Sequence, residues 1–468
     1  MLDPLRQPAF EHCTFWRFPI MSIRVSRRSY ALAGFMASCA ASCAAPALAI
    51  AAALAAAPLM VSGALALTQD VTLENIKIDL PVRKDGGGSV SIKSAVFTGT
   101  NLSKDEVAKF FSISTTQGEV RALAAKMTAA KISIPEIAFS FDGKDGNDAA
   151  KGIGALRGFE ALKVEQGKTA KLSVGGGDVL IKSNDAEFVK GTIGAYEIAD
   201  ADFSALLSGL MQGDITGAMV KYSKATFAGA DFTVVDKATP AGAPGGNLMR
   251  FKMGPGSAAM SFDGDVFRKA SGEVASFSME FPKASQAGQA LTAFGYDRLD
   301  IGFKVAASYD PATKKMAVDD YTITGVNAGA LTFKGNFGSL DPSVFAAGDQ
   351  DARLKALMAA DFSSLSLRFA NSGLAEKGFA FAASMQKKSP DALKTEISGM
   401  AKAVIPGVLG ADAGKKIADA LAAFIASPKN LSFDVKAKGG AMKFTDIAAA
   451  KGPQDVLPKV DLSAAANQ

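Results

Sequence analysis

The residue types that most often carry catalysis or bind metals are confined to the start of this 468-residue chain. The one histidine, the one tryptophan and the three cysteines are His12, Trp16, Cys13, Cys39 and Cys43. Residues 67–468 therefore contain no serine–histidine or cysteine–histidine pair and none of the usual zinc or haem ligand sets. The sequence predicts a protein that is not an enzyme, with no catalytic residue, no metal and no cofactor.

Acidic side chains are the remaining residues that could do chemistry. Asp142, Asp145, Asn147 and Asp148 could offer oxygen ligands to calcium, but their spacing departs from that of an EF-hand loop, so a turn is favoured. The same two interpretations apply to residues 263–265, where a hairpin turn is favoured. A hydrolase that uses two carboxylates alone stays open, because the sequence does not reveal how far apart carboxylates lie in space.

Two short motifs resemble parts of known sites. Gly167 to Thr169 resembles the end of a phosphate-binding loop, but Leu162 stands where that loop needs glycine, so a turn between strands is predicted. Ser384 to Lys387 has the serine–lysine spacing of penicillin-recognising enzymes. No Lys-Thr-Gly element accompanies it, so the motif is interpreted as part of a helix surface.

The stretch between Arg24 and Ala66 determines where the rest of the chain is located. Three arginines precede an apolar region over 31–61, and Ala64-Leu65-Ala66 forms a small-residue site that a signal peptidase could cut. Met21 is a better start for such a signal than Met1. We predict that residues 1–66 are an export signal with Ala64 and Ala66 at its cleavage site.

Three alternatives remain open for this segment. Residues 47–49 form a second cleavage site, which would leave an apolar N-terminus. Residues 26–30 resemble part of the twin-arginine motif of the route that exports folded proteins. Residues 31–67 are also long enough to span a bilayer as an uncleaved anchor. Each of these places residues 67–468 in the periplasm, either released or anchored to the inner membrane.

The exported part is almost neutral. Removing the five basic and two acidic residues of the first 66 leaves 46 Lys and Arg against 44 Asp and Glu, a net charge of +2. A nucleic-acid-binding protein needs a clustered basic face, so no nucleic-acid partner is predicted. The absence of disulfides in an oxidising compartment means that packing must hold the fold.

Short alternating strands dominate the predicted organisation. Capping residues at Ser103 and Glu106 predict one helix, and apolar residues at Val120, Leu123 and Met127 predict a second. A third helix carries Ala287, Ala290, Leu291 and Phe294. The predicted divisions are an N-terminal strand-rich domain over 67–236, a linker over 237–247, a second strand-rich region over 248–362 and a C-terminal region over 363–468.

One strand-to-turn pattern recurs four times. It is an alternating strand, then a glycine that allows a bend or bulge, then Asn or Asp at a turn. The copies are 95–102, 225–232, 321–327 and 196–203, the last with Asp200 in place of glycine. Their irregular spacing favours repeated use of one device over a solenoid.

A helical hairpin is predicted near the C-terminus. Ser389-Pro390 starts a helix whose apolar stripe stops at Pro406, and a second helix ends near Pro428. The helical periodicity favours a core role for both stripes over a lipid seat. The stripes are Leu393, Ile397, Met400 and Val404, then Ile417, Ala420, Leu421, Phe424 and Ile425. A third helix over 374–385 and a strand through Leu431, Phe433 and Val435 complete the region.

The export signal, the repeated short strands and the helical hairpin before a last strand together resemble AsmA-like and related uncharacterised envelope proteins of Gram-negative bacteria. The resemblance covers the layout of residues 67–468 and rests on no diagnostic motif. It implies a long curved sheet with an apolar inner surface, associated with the cell envelope and with lipid. Proteins of this kind usually keep an N-terminal anchor and are often longer.

The predicted fold class is α+β: an antiparallel, strand-rich protein with a long or curved sheet of short strands, short connecting helices and a C-terminal helical hairpin followed by a strand. The predicted function is that of an exported, non-catalytic periplasmic or envelope protein that binds an apolar ligand or lipid. A structural or protein-interaction module and a carboxylate-only hydrolase are the alternatives.

Overall fold

The computed structural model describes residues 68–83, 86–145, 148–203, 220–264, 266–345 and 350–468. The predicted export signal lies outside these residues, and with it Ala64 and Ala66.

The described residues form twenty strands, which belong to one antiparallel sheet. The strands are β1 (Gln69–Arg83), β2 (Gly86–Thr100), β3 (Thr128–Asp145), β4 (Asp148–Glu165), β5 (Lys168–Val174), β6 (Gly176–Ser183), β7 (Ala186–Ile193), β8 (Tyr196–Asp202), β9 (Lys224–Phe227), β10 (Ala230–Val235), β11 (Leu248–Met253), β12 (Gly256–Asp263), β13 (Val266–Glu280), β14 (Leu299–Asp310), β15 (Lys315–Gly325), β16 (Gly329–Gly338), β17 (Asp361–Asn371), β18 (Asn430–Ala437), β19 (Met442–Lys443) and β20 (Val460–Ala466).

Helices occupy the connections between strands in the described residues. They are α1 (Lys104–Lys109), α2 (Gln117–Lys126), α3 (Gln286–Ala293), α4 (Gln350–Ala359), α5 (Leu374–Met385), α6 (Pro390–Leu409), α7 (Ala411–Ala426), α8 (Phe444–Ala448) and α9 (Pro453–Val456). Two short 3₁₀ helices cover Pro342–Phe345 and Leu457–Lys459. With 52% strand and 25% helix, the structure confirms the predicted fold class.

The sheet is a meander in which each traverse of the chain, called an arm, pairs with the arms before and after it. Four arms consist of two strands in line: β5 with β6, β7 with β8, β9 with β10, and β11 with β12. The arms at either side, β4 and β13, are single strands that pair with both members of the neighbouring arm. The meander then continues from β13 to β18, and β20 pairs with β18.

A line of paired irregularities crosses the sheet from β1 to β13, and we call it the crease. In each of these arms two residues, where a regular strand has one, separate two successive apolar positions. These residue pairs lie side by side across the sheet, so apolar positions are three residues apart at the crease and two apart elsewhere. The register on either side is unchanged, as in Val174 opposite Tyr196 and Gly177 opposite Ile193. The residue pairs of the crease are 74–75, 93–94, 135–136, 157–158, 175–176, 194–195, 228–229, 254–255 and 275–276.

Backbone geometry in the crease explains its glycines. Gly158, Gly176 and Gly229 have φ of 64°, 125° and 113°, where side chains are disfavoured, and Asn75 has φ of 53°. Neighbouring arms still exchange hydrogen bonds, for example 2.7 Å from the Gly194 amide to the Gly229 carbonyl. The crease ends between β13 and β14, where a register shift absorbs the extra residue.

The bend of the predicted strand-to-turn device is found at three of its four copies, but at 225–232 the turn predicted after it is absent, because Asp231 lies within β10. Gly99 has φ of 61°, Gly229 has φ of 113° and Asp200, which stands in place of glycine, has φ of 50°. Gly325 is different because it is the last residue of β15, and the left-handed residue of that turn is Asn327. The device therefore bends strands at three sites and ends a strand at the fourth.

The most completely buried core lies between the first arms of the sheet and the first two helices. Phe97 of β2 and Val107 of α1 have no exposed surface, and the rings of Phe97 and Phe111 meet edge to face with centroids 6.4 Å apart. The predicted capping box at the start of α1 is confirmed, because the Glu106 amide donates to the Ser103 hydroxyl and the Ser103 amide to the Glu106 carboxylate.

The C-terminal helical hairpin is formed by α6 and α7, as predicted, but the end predicted for the first helix is wrong. Ser389 caps α6 and Pro390 is its first residue, yet the helix continues through Pro406 to Leu409. Proline lacks the amide that would bond to the Lys402 carbonyl and its ring crowds that carbonyl, so it disfavours a further helical turn but does not forbid one.

One predicted loop takes a different form in the structure. The described residues of the loop predicted over 142–148 are strand, because β3 extends to Asp145 and pairs there with Asp148, the first residue of β4; Asn147 lies outside the described residues. The predicted linker over 237–247 joins β10 to β11, which pair with each other in the same sheet.

Candidate apolar binding surface

Apolar side chains form two continuous rows across one face of the sheet, which we call the apolar face. Directly opposed residues of adjacent antiparallel strands share a face, so the rows follow from the register. The first row runs through Val174, Tyr196, Phe227, Gly256, Val274, Phe303, Ile323, Leu331, Phe369 and Leu431. The second runs through Leu172, Ile198, Ala225, Ala258, Gly272, Val305, Tyr321, Phe333, Leu367 and Phe433.

The opposite face of the same strands is polar. Lys304, Thr322, Thr332 and Arg368 follow one another on β14 to β17 in a single row. The hydroxyls of Thr322 and Thr332 lie 3.0 Å apart, and Lys304 pairs with Asp320 at 3.1 Å. The sheet is thus amphipathic in this region, so one face is suited to water and the other is not.

Both ends of the apolar face are covered. At the β4–β5 end, Phe159 and Val174 are each only 2% exposed. At the β18–β20 end, α7 packs on the sheet, and its Phe424 meets Phe369 edge to face with centroids 5.9 Å apart. Both ends of the rows are therefore buried, and at the β18–β20 end the covering element is α7.

The middle of the apolar face is open. Five large side chains on β14 to β17 are 38–45% exposed: Phe303, Val305, Tyr321, Leu331 and Leu367. At side-chain areas of roughly 200 Å² each, this leaves on the order of 400 Å² of apolar surface in contact with water. A patch of this size on one side of a sheet is typical of a binding surface.

Aromatic clusters border this patch at both ends of its strands. At one end the rings of Phe267 and Tyr309 pack on Phe345, with centroids 5.2 and 4.8 Å apart. At the other end Phe294 and Phe381 stack at 4.3 Å and so join α3 to α5. Along its strands the patch therefore lies between two aromatic clusters.

On β12 and β13 the apolar face carries glycine and alanine in place of larger residues. A Cβ on Gly256 would lie 2.3 Å from the Phe227 ring, so this ring occupies the space above the glycine. Ala258 and Gly272 lie opposite each other in the second row. The second row therefore has only small residues on β12 and β13, whereas in the first row Phe227 fills the space above Gly256.

A separate open cleft of about 910 Å³ lies at the strand ends near β13 to β17. Two acidic side chains, Asp310 and Asp361, are among the residues that line it. Hydrogen bonds from the Thr313 hydroxyl and the Ala312 amide lower the pKa of Asp310, and Arg268 lies 3.5 Å from it. A general acid needs a raised pKa, so Asp310 is suited to holding charge and not to donating a proton.

The other candidate residues from the sequence do not form a site in the described part of the chain. Asp148 accepts hydrogen bonds from Asn184 and Lys237, and residues 263–264 belong to the hairpin turn between β12 and β13. Gly167 lies in the turn between β4 and β5, as predicted. Ser384 lies near the end of α5 and donates to the Phe381 carbonyl. Within the described ranges, no three acidic residues are grouped as a metal would need.

The apolar stripe of α6 is only partly core. Leu393 is 2% exposed, whereas Met400 and Val404 are 46% and 43% exposed, and Val408 continues the stripe at 53%. The core role predicted for this stripe therefore holds at its start and is wrong for its second half. The stripe of α7 is buried as predicted, with Ile417 and Phe424 at 7% and 8%.

Sequence reasoning did not single out the open patch itself. Its signal is present as plain alternation, for example at Leu331 and Phe333 or at Leu365, Leu367 and Phe369. Alternation identifies the apolar face but not which part of it the helices leave uncovered. In the described part of the chain, no helix has the length and apolar character needed to cross a bilayer.

A model of a protein family described as an uncharacterised protein matches residues 322–467. No curated protein matches the chain. The matched segment starts in β15 and ends just after β20, so it contains Leu331, Leu367 and the helical hairpin that covers the end of the apolar face.

Proposed function

We propose that this protein is a non-catalytic, exported protein of the periplasm or cell envelope that binds an apolar ligand on the open part of its apolar face. The observation that carries the proposal is the exposure of five large apolar side chains side by side on β14 to β17, between ends that the chain itself covers. Leaving this surface in water is unfavourable by about 25 cal/mol per Å² of apolar area, which a ligand would recover.

The ends of the patch are closed by the chain's own side chains, Phe159 and Val174 at one end and Phe424 on Phe369 at the other, and a small apolar ligand fits between them. The open apolar area is also close to the apolar part of a standard protein–protein interface, which buries about 800 Å² on each partner, a little over half of it apolar. A structural or protein-interaction module is the second candidate, and the exposed stripe of Met400, Val404 and Val408 on α6 favours it.

The export assignment rests on the sequence. Positive charge precedes the apolar stretch and is absent from it, and a small-residue cleavage site follows. Fractionation of the host, with N-terminal sequencing of the recovered protein, tests it. The expected result is a periplasmic protein that starts after Ala66, and intact precursor dissolved in the cytosol would contradict export.

Site-specific fluorescence tests the binding surface directly, because Trp16 is the chain's one tryptophan. In a Trp16→Phe background, Leu331→Trp places a probe on the apolar face and Thr332→Trp places the same probe on the polar face of the same strand. Dibromostearate, which quenches tryptophan on contact, is then titrated into each variant. We expect saturable quenching of the Leu331→Trp protein alone.

The outcomes separate the candidate functions. Equal quenching of both probes, or of neither, would overturn the apolar-ligand proposal. Mass spectrometry of an organic-solvent extract from protein purified from its native host gives an independent measurement, in which we expect a stoichiometric lipid. Oligomerisation that is lost in a Val404→Glu variant, together with an extract free of lipid, would support the interaction module instead.

A further inference from the structure

The polar face of the sheet carries two clefts that lie next to each other. The larger, of about 910 Å³, is lined by residues of β13 to β17, and a smaller one of about 190 Å³ by residues of β9 and β12 to β14. Lys269 and Ser271 lie two residues apart on β13, one in each cleft, and Ser308 and Ala306 do the same on β14. Because residues two apart share a face of a strand, the clefts adjoin, and we call them together the polar trough.

The floor of the polar trough is made of small side chains. Ala306 and Ser308 follow Lys304 at intervals of two residues on β14, so all three lie on the polar face. Ser271 lies opposite Ala306, and Ala317 lies opposite Ser308, which extends the floor to β13 and β15. The trough is therefore a band of the polar face where short side chains lie between longer ones.

The polar trough is long. It runs from Lys224 on β9 across β12 to β16 and reaches Ser363 on β17. These seven strands pair in succession, and six strand spacings make a span of about 29 Å. This length suits an extended chain, because a small molecule would fill only part of it.

Positive charge exceeds negative charge along the polar trough. Its walls hold five basic side chains and three acidic ones. Two of the basic side chains are already paired, because Arg268 lies 3.5 Å from Asp310 and Lys304 lies 3.1 Å from Asp320. The other three have no ion pair within the described part of the chain: Lys224, Lys269 and Lys315. A ligand with negative charges spaced along its length would pair with these cations.

Hydroxyl groups line the polar trough between these cations. They belong to Ser257, Ser271, Ser308 and Ser363. A hydroxyl both donates and accepts hydrogen bonds, so this lining suits a ligand that is itself rich in hydroxyls. Tyr309 and Phe337 border the trough, but their rings pack on other aromatic rings on the apolar side of the sheet. The trough thus lacks the aromatic platform on which nucleic-acid bases stack.

We infer that the polar trough binds an acidic polysaccharide, an extended chain whose carboxylates pair with Lys224, Lys269 and Lys315 and whose hydroxyls bond to the serines between them. This surface lies on the face opposite the apolar face, so the inference is independent of the proposed apolar ligand. Single-stranded nucleic acid and acidic peptides are the other extended anions. The missing aromatic platform disfavours the first, and the hydroxyl-lined floor disfavours the second.

The experiment titrates the full chain with two hexasaccharides by isothermal titration calorimetry at low salt and without calcium. Hexagalacturonate carries a carboxylate on every sugar, and maltohexaose is neutral. The variant Lys269→Gln/Lys315→Gln removes two of the unpaired cations from the polar trough. The matched control, Lys402→Gln/Lys415→Gln, removes the same charge from exposed positions of α6 and α7, the hairpin that covers one end of the apolar face.

We expect hexagalacturonate to bind, maltohexaose not to bind, and the affinity for hexagalacturonate to fall as salt is added. Lys269→Gln/Lys315→Gln should weaken this binding roughly 3- to 30-fold, the effect of losing two exposed ion pairs, and the control should change it less than about 2-fold. These results would support a ligand site in the polar trough.

Other outcomes would overturn the inference. Equal weakening in the two variants would show that net charge alone attracts the ligand, and no binding of hexagalacturonate would leave the trough without this role. Tighter binding of hexaglutamate or of a single-stranded DNA hexamer would overturn the choice of a polysaccharide. Quenching of the Leu331→Trp protein by dibromostearate does not depend on any of these results, so the proposed function is judged separately.

Discussion

Replacing Gly229 with alanine tests whether the crease is a requirement of the fold. Gly229 lies in the crease between β9 and β10, with φ of 113°, a conformation that costs other residues about 1–3 kcal/mol. A Cβ there would also lie 2.3 Å from the Met253 carbonyl oxygen of the next arm, which belongs to the backbone and cannot rotate away. Separating the two arms locally would add about 1 kcal/mol, the net contribution of one hydrogen bond.

The expected loss of unfolding free energy is therefore about 2–4 kcal/mol. Gly242→Ala is the matched control, because it lies in the loop between β10 and β11 with ordinary φ and no atom within 4 Å of the added Cβ. Urea denaturation followed by far-UV circular dichroism measures both variants, and the control should stay within about 0.5 kcal/mol of the parent. If the midpoints of the two variants agree, the argument that the crease needs glycine at this position is refuted.

Two further predictions concern the start of α1 and the helix α7, which covers one end of the apolar face. Hydrogen bonds from the Lys126 side chain and from the Ser103 amide lower the pKa of Glu106. The Glu106 carboxylate therefore stabilises the fold at pH values above its ordinary pKa, and this stabilisation is lost as the pH falls through the lowered pKa. The stability difference between the parent and Glu106→Gln, measured by urea denaturation, should shrink at acid pH, and a difference constant with pH would contradict this. Phe424→Ala should cost about 3–5 kcal/mol of unfolding free energy, whereas the exposed Met400→Ala should cost less than about 1 kcal/mol. Similar costs for these two variants would show that α7 does not hold the end of the apolar face.

Local signals were sufficient where the structure depends on neighbouring residues. The capping box at Ser103 and the helix start at Ser389 involve atoms within one turn, and both are confirmed. The end of α6 was predicted wrongly because a proline was taken as a stop, whereas α6 accommodates Pro406 and continues to Leu409.

The crease shows why the strands were harder to read. The steps from Ile76 to Leu73 and from Val174 to Gly177 are three residues, so they interrupt the period of two on which strand prediction depends. The sequence therefore indicated only local bends at single glycines, such as Gly99 and Gly229. That these interruptions lie side by side across nine arms depends on the pairing register, which no single arm contains.

The crease also connects the fold with the proposed function. An extra residue in one strand would move every later side chain to the other face, because side chains alternate with a period of two. At the crease every arm takes the same step of three residues, so Ala225 and Phe227 before it and Ala230 and Phe232 after it all stay opposite apolar or glycine positions of the neighbouring arms. Each arm can then be long and bent while one face stays apolar throughout its length. A ligand surface that crosses many strands requires this consistency, since a single arm out of phase would place charged side chains in its path.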